Sequence, residues 1–284
     1  MTNVALLGPQ RRPTLDRVLS GMEIEGPIAA TNAGWQEREA DDGELLSLMG
    51  GRGSNLRLYA RWMDVLAQDS DYARAEREHR VVLDELQQLY RLRLDYALTA
   101  AYEVGQRADG HPRTRASAFD DALAIVQQID QMHLGRVRDL HAVFEESWSP
   151  SERDIVAKHR HEVHEVLRNA ECLCIAGGHV GELLHVLRLF AVAAALPPHI
   201  VAWSAGAMTL TERIVLFHDF AAQGPAPSEA LDAGLGVVTG IVALPHARRR
   251  LRINDELRMS VLERRFAPAT CLRLDDGTRM DVEQ

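Results

Sequence analysis

Short apolar runs closed by turn-forming residues alternate with helically spaced segments at both ends of the chain. Residues 4–7 form one such run, ended by Gly8 and Pro9, and read as a buried strand. Leu15, Val18 and Leu19 then fall at helical spacing within 14–22. A second short strand is predicted over 27–30, ending at Thr31, Asn32, Ala33 and Gly34. The charged segment 35–49 is helix-compatible and stops at Gly50, Gly51 and Gly53. Further on, Ser149, Pro150 and Glu152 suit the N-cap, first and third positions of a helix reaching about Asn169. A strand over 172–176 meets Gly177 and Gly178, an apolar helix follows over 180–195, and a strand over 199–203 turns at Ser204 into another helix. Residues 234–244 read as a strand pair or a strand with glycine bends. The segment after 271, with its Asp276–Gly277 turn, reads as a terminal hairpin. Strands alternating with helices predict an α/β fold with a mostly parallel sheet flanked by helices.

The middle departs from this pattern. From 56 to 144 there is almost no strand signal. Val82, Leu86, Tyr90, Leu94 and Ala97 share one helical face. Ile125, Ile129, Met132, Leu140 and Phe144 share another, with Asp109, Gly110 and Pro112 as breakers between them. The prediction is a long all-helical insertion over 54–147 that divides one α/β domain into about 1–53 and 148–284. Its apolar stripes are wide enough to pack on each other, on the sheet, or on a second copy in a homodimer.

Composition narrows the function. The chain has 284 residues, 46% of them apolar and 26% charged, enough for a sizeable core. A net charge of −9 argues against nucleic acid as a partner. No apolar run approaches the ~18 residues of a membrane span, and the first residues lack a basic leader, so the expectation is a cytoplasmic protein with no membrane partner. Cys172 and Cys174 have no second pair to complete a zinc knuckle, and with Cys271 they read as reduced, buried thiols. His159, His161 and His164 miss the HExxH spacing because Glu165 stands where the second histidine belongs, so no metal site is predicted. With neither GxGxxG nor Gly-Lys-Ser/Thr, no cofactor is predicted either.

The sharpest chemical signal is Trp203-Ser204-Ala205-Gly206, where an apolar strand turns directly into a helix. Small neighbours suit a crowded turn that exposes a serine hydroxyl above the sheet edge. A serine needs a base and an orienting carboxylate to act as a nucleophile. His246 follows the apolar run 241–244, at an edge where loops converge, and is the preferred base; His218 is the competing one. Asp219 is the candidate carboxylate. Gly178, after a strand, and Ala205, opening a helix, offer backbone N–H groups for an oxyanion hole worth ~3–4 kcal/mol per donor. Gly177, His179, Trp35, Gln36 and Arg248 are candidate substrate contacts.

Taken in order, Gly177-Gly178 after a strand, Trp203-Ser204-Ala205-Gly206-Ala207, Asp219 and Pro245-His246 resemble the dipeptidase E and cyanophycinase family of serine peptidases. The resemblance implies a class I glutamine amidotransferase-like, flavodoxin-like fold, and a Ser204–His246–Asp219 triad cleaving a small peptide or other amide substrate, with an aspartyl preference in view. The aspartate fifteen residues after the serine marks the dipeptidase E branch; Ala222 stands in the region where the cyanophycinase branch carries its glutamate. His179 departs from the usual Asn, Asp or Gln after the glycine pair. Small members of the family lack a long helical insertion. These departures motivate the alternative of a non-hydrolytic binding or assembly module whose insertion mediates oligomerisation or partner binding.

Overall fold

The computed structural model describes residues 2–11, 13–220 and 226–283, so Ala222 lies outside the described residues. β1 (Asn3–Leu7) leads through α1 (Leu15–Gly21) to β2 (Ile28–Thr31), and α2 (Gly43–Ser47) leads to β3 (Gly53–Asn55). Then come α3 (Leu58–Gln68), α4 (Ser70–Gln106), α5 (Pro112–Trp148) and α6 (Asp154–Arg168). β4 (Cys172–Ile175), α7 (Val180–Leu189), β5 (His199–Trp203), α8 (Ala205–Leu210), β6 (Arg213–His218) and β7 (Ala226–Ala233) follow. The chain closes with β8 (Ile241–Pro245), α9 (Ala247–Arg250), α10 (Glu256–Phe266), β9 (Thr270–Leu274) and β10 (Arg279–Glu283).

The main sheet runs β10-β1-β5-β4-β2-β3, and all its pairs are parallel except β1 with β10. Central parallel strands are covered on both faces, which is why they read as unbroken apolar runs. In β4 the alternation sends Leu173 and Ile175 into one core layer and Cys172 and Cys174 into the other. Both cysteines are buried free thiols, whereas Cys271 is only half-buried. The register aligns Thr31, Ile175 and Ala202 across neighbouring strands. The turns that follow β2, β4 and β5 therefore gather at one carboxyl edge, the usual place for a site in such a sheet.

Several local expectations fail for identifiable reasons. β9 and β10 do not form a hairpin. The turn exists, with Gly277 at φ 80° and Thr278 N–H donating to Asp275 O (2.9 Å), but β9 pairs with β8 and β10 with β1. Residues 35–49 form a short 3-10 segment and α2 instead of one helix, because Gln36 breaks the helical path at φ 58°, ψ −125°. Ser149 sits at φ 41° and ends α5, so α6 begins only at Asp154. The helix predicted over 180–195 stops at Leu189, before Ala191 at φ 48°. Among the described residues no helix is long and apolar enough to cross a membrane.

α4 and α5, each 37 residues, lie side by side in opposite directions, Tyr72 meeting Phe144, His79 meeting His141, and Tyr90 meeting Asp130. Asp69 caps α4 by accepting from Tyr72 N–H, and Pro112 opens α5. Tyr90, Leu94 and Ile129 of the expected stripes are buried, but the inward faces run on through other positions. Tyr90, Leu94, Leu98 and Ala101 face inward with Leu123, Val126 and Ile129, whereas Val82, Ile125 and Met132 are exposed. A buried polar knot ties the pair to the body. Arg265 of α10 donates to both carboxylate oxygens of Asp130 (2.7 Å each), to Ser228 O (2.6 Å) and to Tyr90 Oη (3.0 Å). Tyr90 in turn donates to Asp130 and accepts from Ala230 N–H of β7.

Candidate active site

Ser204 occupies a backbone geometry few residues adopt, φ 52° and ψ −122°, between β5 and α8. The strain persists because its surroundings are packed to backbone contact. A Cβ on Gly177 would stand 2.7 Å from Ser204 Cβ, and one on Gly206 would stand 2.3 Å from Ile175 O. Gly178, at φ 127°, abuts Gly34, where a Cβ would come within 2.3 Å of the Gly34 carbonyl. His179 N–H donates to Gly34 O (2.7 Å), locking the turn after β4 onto the turn after β2. Buried Asn32 braces that second turn, donating to Glu39 O (2.9 Å) and accepting from Asn55 Nδ2 (2.8 Å). The elbow is thus a joint of three strand ends.

His246 follows β8 at φ 59°, and its N–H donates to Leu274 O (2.9 Å). Its Nε2 lies 3.5 Å from Ser204 Oγ, the outer edge of hydrogen-bond reach and a pairing of the kind that tightens as a transition state forms. Burial, then the charges of Arg250 and Arg11, holds the imidazole below its ordinary pKa. Asp276 and Asp275 oppose that shift. The shift favours the neutral ring, the form able to accept a proton.

Asp219 is buried at the end of β6, but among the described residues its partners are not His246. Its carboxylate accepts from Arg258 Nε (2.8 Å) and Arg252 N–H (2.8 Å), with a further contact to Arg258 Nη2, and its own N–H donates to Arg250 O (2.7 Å). It clamps the segment that follows His246. His218 lies on the same cleft, exposed, without a hydrogen bond to Ser204.

A cleft of about 620 Å³ opens over Ser204, lined by Gly177, Gly178, Ala205, His246 and Trp35. Trp35 also packs into the core layer beneath. The other expected contacts lie off the cleft. His179 caps α7, its Nδ1 accepting from Glu182 N–H (3.1 Å). Gln36 is half-buried in its strained turn. Arg248 is exposed, and its N–H donates to Asp275 (2.9 Å). Four charged groups that local sequence reasoning missed line the cleft: Arg11, Arg250, Glu229 and Arg91. Arg250 was within reach of a sequence argument, since it lies four residues after His246. Arg91, reaching in from α4 to pair with Glu229 of β7 (2.5 Å), left no local signal. Among the described residues no cluster of three His, Cys, Asp or Glu side chains is placed to hold a metal ion.

The comparison with known families bears on this arrangement directly. The model of peptidase family S51 matches residues 124–284, more than half the chain. The chain belongs to peptidase family S51. No curated protein matches it. As an S51 member, the family of dipeptidase E and cyanophycinase, it is a serine peptidase acting on a peptide or amide substrate. Of the two classes drawn from the sequence, membership favours the enzyme. The match begins inside α5, so α4, which carries Arg91 into the cleft, precedes the part that marks the family.

Proposed function

We propose that the protein hydrolyses a peptide bond next to a carboxylate-bearing residue, with Ser204 as nucleophile and His246 as its base. The 3.5 Å approach of Ser204 Oγ to His246 Nε2 carries this reading. His246 takes the hydroxyl proton as Ser204 attacks the carbonyl carbon. The tetrahedral oxyanion is held by the N–H groups of Gly178 and Ala205, and His246 then gives the proton to the departing amine. Water repeats the sequence on the acyl-enzyme.

Asp219 serves this machinery as an anchor, tying β6 to the chain after His246 through Arg258 and Arg252. The charge that favours the transient imidazolium comes from Asp276 and Asp275, whose carboxylates act on the ring. Arg250 supports an acidic substrate. Its guanidinium is half-buried at the cleft with burial as the cause of its lowered pKa, and a substrate carboxylate would offset that cost. We further propose that the body formed by the two ends of the chain is the catalytic unit, with the α4–α5 pair an insertion that walls the cleft through Arg91.

A fluorophosphonate probe tests the nucleophile. It is expected to label wild type on Ser204, and Ser204→Ala is expected to lose labelling and at least ~10³-fold of kcat/KM. Aspartyl dipeptides are expected to be cleaved faster than their neutral counterparts, with Arg250→Met erasing the difference. An unlabelled wild type, or a fully active Ser204→Ala, overturns the serine assignment; equal rates on acidic and neutral substrates overturn only the substrate class.

A further inference from the structure

Eight of the nine large apolar side chains left exposed among the described residues lie on α4 and α5, and five of them lie on α4 alone. Scattered exposed apolar residues are ordinary, but these are ordered. Val82, Leu89, Leu92 and Tyr96 recur at the seven-, three- and four-residue steps of a heptad seam. They sit opposite Tyr90, Leu94 and Leu98, which pack against α5 and the body. Exposure reaches 57% at Leu92 and 73% at Tyr96.

The charges along this stripe identify its occupant, because they are self-complementary in one orientation. Laid antiparallel on a second α4 about a two-fold axis beside Leu89, the stripe sets Leu89 against its own copy and Val82 against Tyr96. The same operation brings Glu85 level with Arg93, and the symmetry makes the pair twice. A parallel pairing would set Glu85 against Glu85 and Arg93 against Arg93, which repel. At 37 residues α4 is about 55 Å long. That length gives an antiparallel pair room for the ~800 Å² per partner of a stable interface.

We propose that α4 is a homodimer interface, an antiparallel two-fold helix pair centred on Leu89. The surface is separate from the hydrolytic site and does not depend on the reading of Ser204. It assigns the long helix two roles on two flanks: Arg91 reaches into the cleft of its own chain, while the Val82–Tyr96 stripe meets a second chain.

Light scattering and sedimentation over a dilution series test this, with far-UV circular dichroism confirming helix content. Wild type is expected to be a dimer at micromolar concentration, and Leu89→Glu combined with Tyr96→Glu to be a monomer of unchanged helicity. Glu85→Arg and Arg93→Glu are each expected to weaken the dimer about tenfold, and the two together to restore it to near wild-type affinity. A monomeric wild type overturns the proposal. So does a dimer indifferent to these substitutions, or a double reversal no tighter than either single one.

Discussion

Two regions of this molecule are held together by opposite means. At the corner around Ser204, Gly34, Gly177, Gly178 and Gly206 let backbone touch backbone, and one added carbon at any of them meets main-chain or Ser204 atoms within 3 Å. Along the seam between the α4–α5 pair and the body, long side chains do the joining. Arg265 reaches Asp130 and Tyr90, Arg80 grips Glu182 with two hydrogen bonds (2.9 and 2.8 Å), and His79, His141 and Asp232 form a chain of contacts at 3.1 and 3.0 Å. The corner is a problem of volume and the seam a problem of charge. The first should respond to a methyl group and ignore pH. The second should respond to lost partners and to protons.

The largest stability effect falls on the seam. Arg265 and Asp130 are both almost fully buried, with side chains 1% and 3% exposed. Removing one partner leaves the other charge stranded away from water, so Arg265→Met should cost about 3–5 kcal/mol in urea unfolding. Replacing both, as Arg265→Met with Asp130→Leu, should recover much of that loss, because the cost lies in the unpaired charge. If the single variant loses under ~1 kcal/mol, the knot does not join the helices to the body in the way described.

The corner comes next. Gly206→Ala places a carbon 2.3 Å from Ile175 O, a rigid strand carbonyl, and is expected to cost about 2–3 kcal/mol and to displace Ser204. The same substitution on the helical pair has the opposite sign. Gly135 lies inside α5 with nothing within 4 Å of the point where a methyl carbon would stand, so Gly135→Ala should stabilise by about 0.5–1 kcal/mol. Equal responses at the two glycines would erase the distinction between the regions.

Acid should then loosen the seam before the corner. His79 is pushed down to about 4, first by burial and then by the charges of His141 and His185, against the opposing pull of Glu76. In the unfolded chain a histidine titrates near 6.5. Between these values the unfolded state binds a proton that the native state refuses, so stability falls as pH drops from about 6.5 toward 4. Discounted for partial exposure, the loss is on the order of 2 kcal/mol. His79→Phe, which preserves the stacking on Phe144, should flatten that portion of the stability curve.

The same division explains what was legible in the sequence. Ser204 and Gly206 could be found because a strand turning into a helix through small residues is a local event, and His246 because it follows an apolar strand. The seam was opaque because its partners lie far apart in the chain. Nothing near Arg91 names Glu229, and nothing near Tyr90 names Arg265. Polar Asp130 and His133 are buried on α5, so a purely hydrophobic reading draws the inward stripe through Ile125 and Met132 instead. The turn at Gly277 was legible and the pairing beyond it was not, because strand partners are chosen by the whole sheet. Asp219 illustrates the limit at the site itself: the family resemblance pointed to a carboxylate that is buried, but its neighbours Arg258 and Arg252 decide what it does.

The smallest effect lies where the two modes meet. His246 faces the corner across 3.5 Å to Ser204 Oγ, yet its protonation answers to charge: after burial, Arg250 and Arg11 hold its pKa down, while Asp276 and Asp275 push it up. A nearby positive charge disfavours the imidazolium, so removing it must raise the pKa. Arg250→Met should move the acidic limb of the kcat/KM profile upward, toward 6.5, by less than about 1 pH unit. Asp276→Asn should move it downward. The position of the limb reports the free enzyme's base and is independent of the height of the profile. A loss of substrate affinity in Arg250→Met therefore lowers the curve without shifting it, and the two roles proposed for Arg250 separate in one experiment. A limb that stays in place while the curve drops would leave Arg250 as a substrate contact alone and return control of His246 to burial.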